Sequence, residues 1–157
     1  MKTLVLGLGN SILSDDGVGI KVAQEVRKEL IDPRVSVAEI SEAGLHLLDS
    51  IVGYGNVIII DAIRTRGGEP GQIHRMEPED FSFIKCFSSP HQVNLVTALE
   101  LGKMLNLAMP RTIAIFAVEA KDIATFGDKC TLEVQRAIPE VVEMVLQELN
   151  GYYAQDD

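Results

Sequence analysis

Hydrophobic and polar positions along the chain alternate between two periods. Thr3–Leu8 is a short apolar run that reads as a buried strand, followed by a turn through Gly9 and Asn10. From Gly17 onward the spacing is helical, with Val18, Val22, Val26 and Leu30 at four-residue steps on one stripe, and Pro33 closes the segment. Val35–Ile40 predicts a second strand, and residues 44–52 a short helix with Leu45, Leu48 and Val52 facing inward. Residues 56–61 predict a third strand, buried on both faces because Val57 to Ile60 is unbroken apolar sequence. A glycine-rich turn at 67–71 leads to a short fourth strand at 72–76, and 78–89 has no period and predicts a surface loop. A helix over 91–105 carries Val93, Val96, Leu99 and Leu101. A last strand spans 112–118 and a last helix 131–149, which Pro139 is expected to kink or split.

Strands alternating with helices imply right-handed crossovers and a sheet covered on both faces. The predicted fold class is therefore α/β, a three-layer α/β/α arrangement with a twisted, mostly parallel sheet of about five strands. The 157 residues suit one domain spanning 1–157, with a polar tail at 154–157 expected to be disordered. A hydrophobic share of 46% against 24% charged residues is that of a globular chain and excludes wholesale disorder.

Charge narrows the partners. With 14 basic and 23 acidic side chains the net charge is −9, and no basic cluster stands out, so nucleic acid is not expected as a partner. Apolar runs fall far short of the ~20 residues that span a bilayer, so no membrane association is expected. The chain enters its first strand directly from Met1-Lys2, with no signal-peptide pattern. Cys86 and Cys130 form no CxxC pair, which fits a reducing cytoplasm better than a disulfide scaffold.

In open α/β sheets ligands bind beyond the carboxyl ends of the strands, and three segments carry reactive groups there. The first runs from Gly7 through Gly9, Asn10, Asp15 and Asp16 to Gly19. It opens like GxGxxG, but Ile12 holds the third glycine position and two acids occupy the approach a pyrophosphate needs, which disfavours dinucleotides. Asp15 and Asp16 are adjacent and point different ways. One reading has one capping the helix while the other faces the rim; in the other reading both are helix-start acids favoured by the dipole. Asn10 is a candidate oxyanion donor or simply a turn residue. The second segment ends in Asp61, a carboxylate that is costly at a buried strand end unless hydrogen-bonded, metal-bound or solvated.

The third segment is Ser88-Ser89-Pro90-His91-Gln92. Ser89 as N-cap, Pro90 at the first helical position and Gln92 three residues after the cap make a capping box. His91 then sits at the positive end of the helix dipole, where the neutral, metal-binding imidazole is favoured. The alternative is an exposed helix-start histidine without a role. His46 and His74 are expected to lie away from the rim. Asp16, Asp61 and His91 together would form a two-oxygen, one-nitrogen set suited to nickel or zinc, with positions left for water or substrate. Cys86 lies close to His91 in sequence, but no acyl-transfer motif accompanies it.

The stretch Gly7-Leu8-Gly9-Asn10 through Asp15-Asp16-Gly17-Val18-Gly19, together with Ile60-Asp61-Ala62 and Ser89-Pro90-His91-Gln92, resembles the hydrogenase maturation proteases. The element order fits over roughly Met1 to Leu149. The resemblance implies a phosphorylase/hydrolase-like α/β/α sheet and an endopeptidase that removes a C-terminal extension from a nickel–iron hydrogenase large-subunit precursor after nickel insertion. It implies that Asp16, Asp61 and His91 contact the nickel, which is expected to arrive with the precursor rather than as a resident cofactor. Many members carry Gly-Gly-Thr/Ser after the second strand, where this chain reads Ile40-Ser41-Glu42-Ala43-Gly44, so side chains reshape the cleft there. The rival classes are a non-catalytic module that docks on a metalloprotein's metal site, and a nucleotide-dependent enzyme using the Gly7–Gly9 turn.

Overall fold

The computed structural model describes residues 1–41, 45–82 and 90–154, leaving aside the side chains at 45, 81–82 and 90–94. Strand β1 (Thr3–Leu8) is followed by a 3-10 turn at Ser14–Gly17 and helix α1 (Val18–Glu29). Then come β2 (Val35–Ile40), α2 (Leu45–Ile51), β3 (Asn56–Ile63) and β4 (Ile73–Met76). A second 3-10 turn at Pro78–Ser82 precedes α3 (Pro90–Met104), β5 (Thr112–Glu119) and α4 (Leu132–Tyr153). The five strands form one sheet in the order β2-β1-β3-β5-β4. All pairings are parallel except β4 with β5, which is antiparallel.

Because side chains alternate across a strand, the sheet feeds two cores. Val5, Ile58, Ile60 and Phe116 pack with Val18, Val22 and Val26 of α1 and with Val134, Val141 and Val145 of α4. Leu4, Leu6, Val57, Ile59 and Ile115 pack with Leu47 and Ile51 of α2 and with Leu95 and Leu99 of α3. Asp61 has the parity of Ile59 and Ile63, so it belongs to the α2/α3 face.

Three expectations need correction. Asp61 does not end its strand: β3 runs on to Ile63 because Asp61, Ala62 and Ile63 still pair with Ala117, Val118 and Glu119. Part of the expected loop at 78–89 is the 3-10 turn Pro78–Ser82, and 83–89 lie outside the described residues. Pro139 does not split the last helix, which is continuous to Tyr153; the proline is exposed on the outer face, where loss of one backbone hydrogen bond is borne beside solvent. In α2 and α3 the expected Leu48 and Leu99 are buried and Val52, Val96 and Leu101 pack half-buried against the same core, joined there by Leu47, Ile51, Leu95 and Ala98, while the side chains of Leu45 and Val93 lie outside the described residues. At the C-terminal tail, Ala154 closes α4 with its N–H on the Asn150 carbonyl, and 155–157 lie outside the described residues. Among the described residues no helix is long and apolar enough to cross a membrane.

Candidate active site at the β1/β3 switch point

The chain leaves β1 toward β2 on one side and returns to β3 on the other, so the strand order reverses between β1 and β3. In open α/β sheets such a reversal, beyond the carboxyl ends of the two strands, is the usual ligand position. The registered pairing of β1 with β3 ends at Gly7 and Ile60, so Asp61 is the first residue of β3 past it. The 3-10 turn Ser14–Gly17, which carries Asp15 and Asp16, packs against β3 there.

Glycines allow this close approach. A Cβ on Gly19 would stand 2.2 Å from the Ile60 carbonyl oxygen and 2.5 Å from that of Leu8. The start of α1 therefore rests directly on the end of β1 and on β3 at Ile60, three residues after Asp16 and one residue before Asp61. Gly9 has φ of +139°, and a Cβ there would meet the Asp16 carbonyl oxygen at 1.9 Å. No side chain fits at either position.

The two adjacent aspartates have different work. Asp15 is fully buried, at 0% exposure. Its carboxylate accepts from the backbone N–H groups of Lys121 (2.9 Å), Asp122 (3.0 Å) and Thr131 (2.7 Å), and from the Thr131 hydroxyl at 2.8 Å. It fastens the loop between β5 and α4 to the first loop. Asp16 is half-buried, and its Oδ2 accepts the Asn10 N–H at 3.0 Å. One such bond leaves a carboxylate capacity for further partners. Neither acid caps α1: its N-cap is Gly17, without a side-chain bond.

Asp61 is 3% exposed, and its Oδ1 accepts the Ala62 N–H at 2.8 Å. Asn10 Oδ1 accepts the Ile12 N–H at 3.2 Å, and its backbone N–H is committed to Asp16. Pro90 is the first residue of α3, as the capping pattern anticipates, whereas Ser89 and the His91 side chain lie outside the described residues. Cys86 lies outside them too. Among the described residues no three His, Cys, Asp or Glu side chains gather into a metal-holding group.

A second polar group stands on the same face. His74 pairs with Ala117, which pairs with Asp61, so the three form one cross-strand row. Asp61 and His74 are thus two strands apart, about 10 Å between backbones. The expectation that His74 lies far from the rim fails because β4 returns antiparallel beside β5. His74 Nε2 is 3.2 Å from Oε1 of the buried Glu119, which also accepts from the N–H and hydroxyl of Thr65. His46, by contrast, is exposed on α2.

Local fields follow these contacts. Burial, reinforced by the nearby Asp15 charge, pushes the Cys130 thiol up to about 11. Hydrogen bonds from Thr125 and Ala124 hold the Asp122 carboxyl below its ordinary value. The Glu133 carboxylate raises Lys121, to which it bonds at 2.9 Å.

A family model for the hydrogenase maturation proteases matches residues 20–148. The chain belongs to the hydrogenase maturation protease family. It is 31% identical over 101 residues to the hydrogenase 2 maturation protease of Escherichia coli, covering 63% of this chain and 62% of that one. It is 25% identical over 150 residues to the hydrogenase expression/formation protein HupD of Thiocapsa roseopersicina, covering 93% of this chain and 66% of that one. The matches thus span slightly under two thirds of these two relatives. The fold is similar to that of the hydrogenase maturating endopeptidase HybD from Escherichia coli, with a TM-score of 0.86 at 25% identity, over 97% of this chain and 94% of that one.

Proposed function

We propose that this protein is an endopeptidase that removes the C-terminal extension of a nickel–iron hydrogenase large-subunit precursor once nickel has been inserted. Asp16, Asp61 and His91 complete the coordination of the nickel that the precursor brings, and so test whether it is loaded. The observation that carries this reading is the seating of the Asp16 turn and the α1 start on the end of β1 and on β3 at Ile60, next to Asp61. Family membership supplies the peptidase class.

Held by Asp16, Asp61 and His91, the nickel would polarise the scissile carbonyl or lower the pKa of a water from about 15.7 towards ~7. The chain's own part is to hold and to accept. Asp16 stands in a turn fixed by Asn10 and by the neighbouring Asp15 clamp, so its carboxylate meets the incoming metal with little reorganisation. A carboxylate of the pair takes the proton of the attacking water, and that proton passes to the leaving amine as the C–N bond breaks.

The test mixes purified protein with nickel-loaded and nickel-free precursor and weighs the products by mass spectrometry. Cleavage of the loaded form alone is expected. Equal cleavage of both forms refutes the nickel checkpoint, and binding without cleavage of either indicates a non-catalytic docking module.

A further inference from the structure

Two large apolar side chains stand in solvent at the edge of the candidate site: Ile12, 54% exposed, and Phe126, 81% exposed. They come from different loops, one after β1 and one after β5. Gly127 donates its N–H to the Ile12 carbonyl at 2.9 Å and accepts the Ser14 N–H at 3.1 Å, with Leu13 and Gly127 in a parallel bridge. Ile12 and Phe126 therefore flank one short ladder, four residues or fewer from Asp16 on the first loop's side.

The frame under them is stiff. The Asp15 carboxylate gathers Lys121, Asp122 and Thr131 beneath the second loop, and the Asp15 N–H donates to the Asp122 carbonyl at 2.9 Å. Asp122 in turn accepts from Ala124 and Thr125 at 3.0 Å each. Loops tied this thoroughly have the means to tuck an aromatic ring into the core, yet this ring points outward. A lone exposed apolar residue needs no explanation, but a pair held on one ladder within four residues of Asp16 does.

We propose that Ile12 and Phe126 form a docking lip that grips apolar side chains of the hydrogenase precursor beside its nickel site. This rests on the peptidase reading above, which brings a protein substrate to Asp16, four residues from Ile12 in the same loop. The size of the lip selects this occupant over a second copy of the chain. An aromatic side chain buries about 150–250 Å² when covered, so the pair offers a few hundred Å² at most. A lasting dimer clears roughly 1,000 Å². A small lip suits a partner also held at the metal and released after one cut.

The experiment compares wild type with the double variant Ile12→Ala/Phe126→Ala, using the nickel-loaded precursor. Association is read by surface plasmon resonance on immobilised precursor, and cleavage by steady-state kinetics. The double variant is expected to bind about tenfold more weakly and to show KM raised by a similar factor with kcat unchanged, the mark of lost uniform binding. Phe126→Leu with Ile12 intact is expected to keep most of the affinity, and thermal unfolding of every variant to match wild type. Equal affinity of wild type and double variant overturns the lip, as does a lowered melting temperature, which makes the pair part of the fold. A wild type that binds precursor without cutting it overturns the peptidase reading instead, leaving the affinity comparison intact.

Discussion

Asp15 and Thr131 are 116 positions apart in the chain, and the carboxylate of the first accepts both the backbone N–H, at 2.7 Å, and the hydroxyl of the second. The acid thus closes the loop between β5 and α4 onto the loop that presents Asp16. Its neighbour in sequence, Asp16, stays half-buried and accepts the Asn10 N–H instead.

Replacing Asp15 with Ala strands three part-buried N–H donors, which the vacated space and nearby solvent compensate in part. Urea unfolding should show a stability loss of about 1–3 kcal/mol. Asp15→Asn is not expected to restore it, because its amide turns one acceptor into a donor facing other donors. A loss under ~1 kcal/mol for the alanine variant shows that the clamp is dispensable.

Gly19→Ala sets a helix-favouring gain of up to ~1 kcal/mol against a clash with two backbone carbonyls. Neither carbonyl swings aside as a side chain does, so the clash prevails and the net loss is expected at about 1–3 kcal/mol. Because α1 has to lift off β1 and β3, precursor cleavage should fall as well. Chemical denaturation and a cleavage assay on one preparation check both, and a stabilised variant contradicts the close packing.

Asp16→Asn and Asp61→Asn are each expected to lower precursor cleavage at least ~100-fold, the usual range for losing a proton-handling group. Circular dichroism should remain that of the wild type for Asp16→Asn, whose side chain is half-buried and keeps its size. Full activity in either variant removes that residue from the site.

Cys130 is buried, and its thiol is pushed up to about 11, so it stays protonated near neutrality. Iodoacetamide at pH 8 should leave the Cys130 peptide unmodified in native protein and label it in urea, as read by mass spectrometry. A folded value above the ordinary 9.0 means the contribution to stability is intact below pH 9 and fades as pH rises towards 11. Rapid native labelling contradicts the burial.

The alternation of strands and helices was legible in the chain because apolar period is a local property. The stripe Val18, Val22 and Val26 and the run Val57 to Ile60 hold the same roles in the fold. The carboxyl rim, where the Asp16 turn and Asp61 fall, followed from the same alternation. The phase of α2 and α3 was less legible, since both faces of these helices carry apolar residues and the neighbouring sheet chooses among them. Pro139 misled because a local rule about lost hydrogen bonds says nothing of which side of the helix faces water.

Composition and order along the chain thus determined the class of fold and which segments end at the rim. The tertiary structure alone separated Asp15 from Asp16, since adjacent carboxylates look equivalent until Lys121, Asp122 and Thr131 close over one of them. It alone set His74 in the row of Asp61, through an antiparallel return that no period encodes. Such assignments depend on which backbone donors arrive from a hundred residues away, and that is settled by packing rather than by neighbours in sequence.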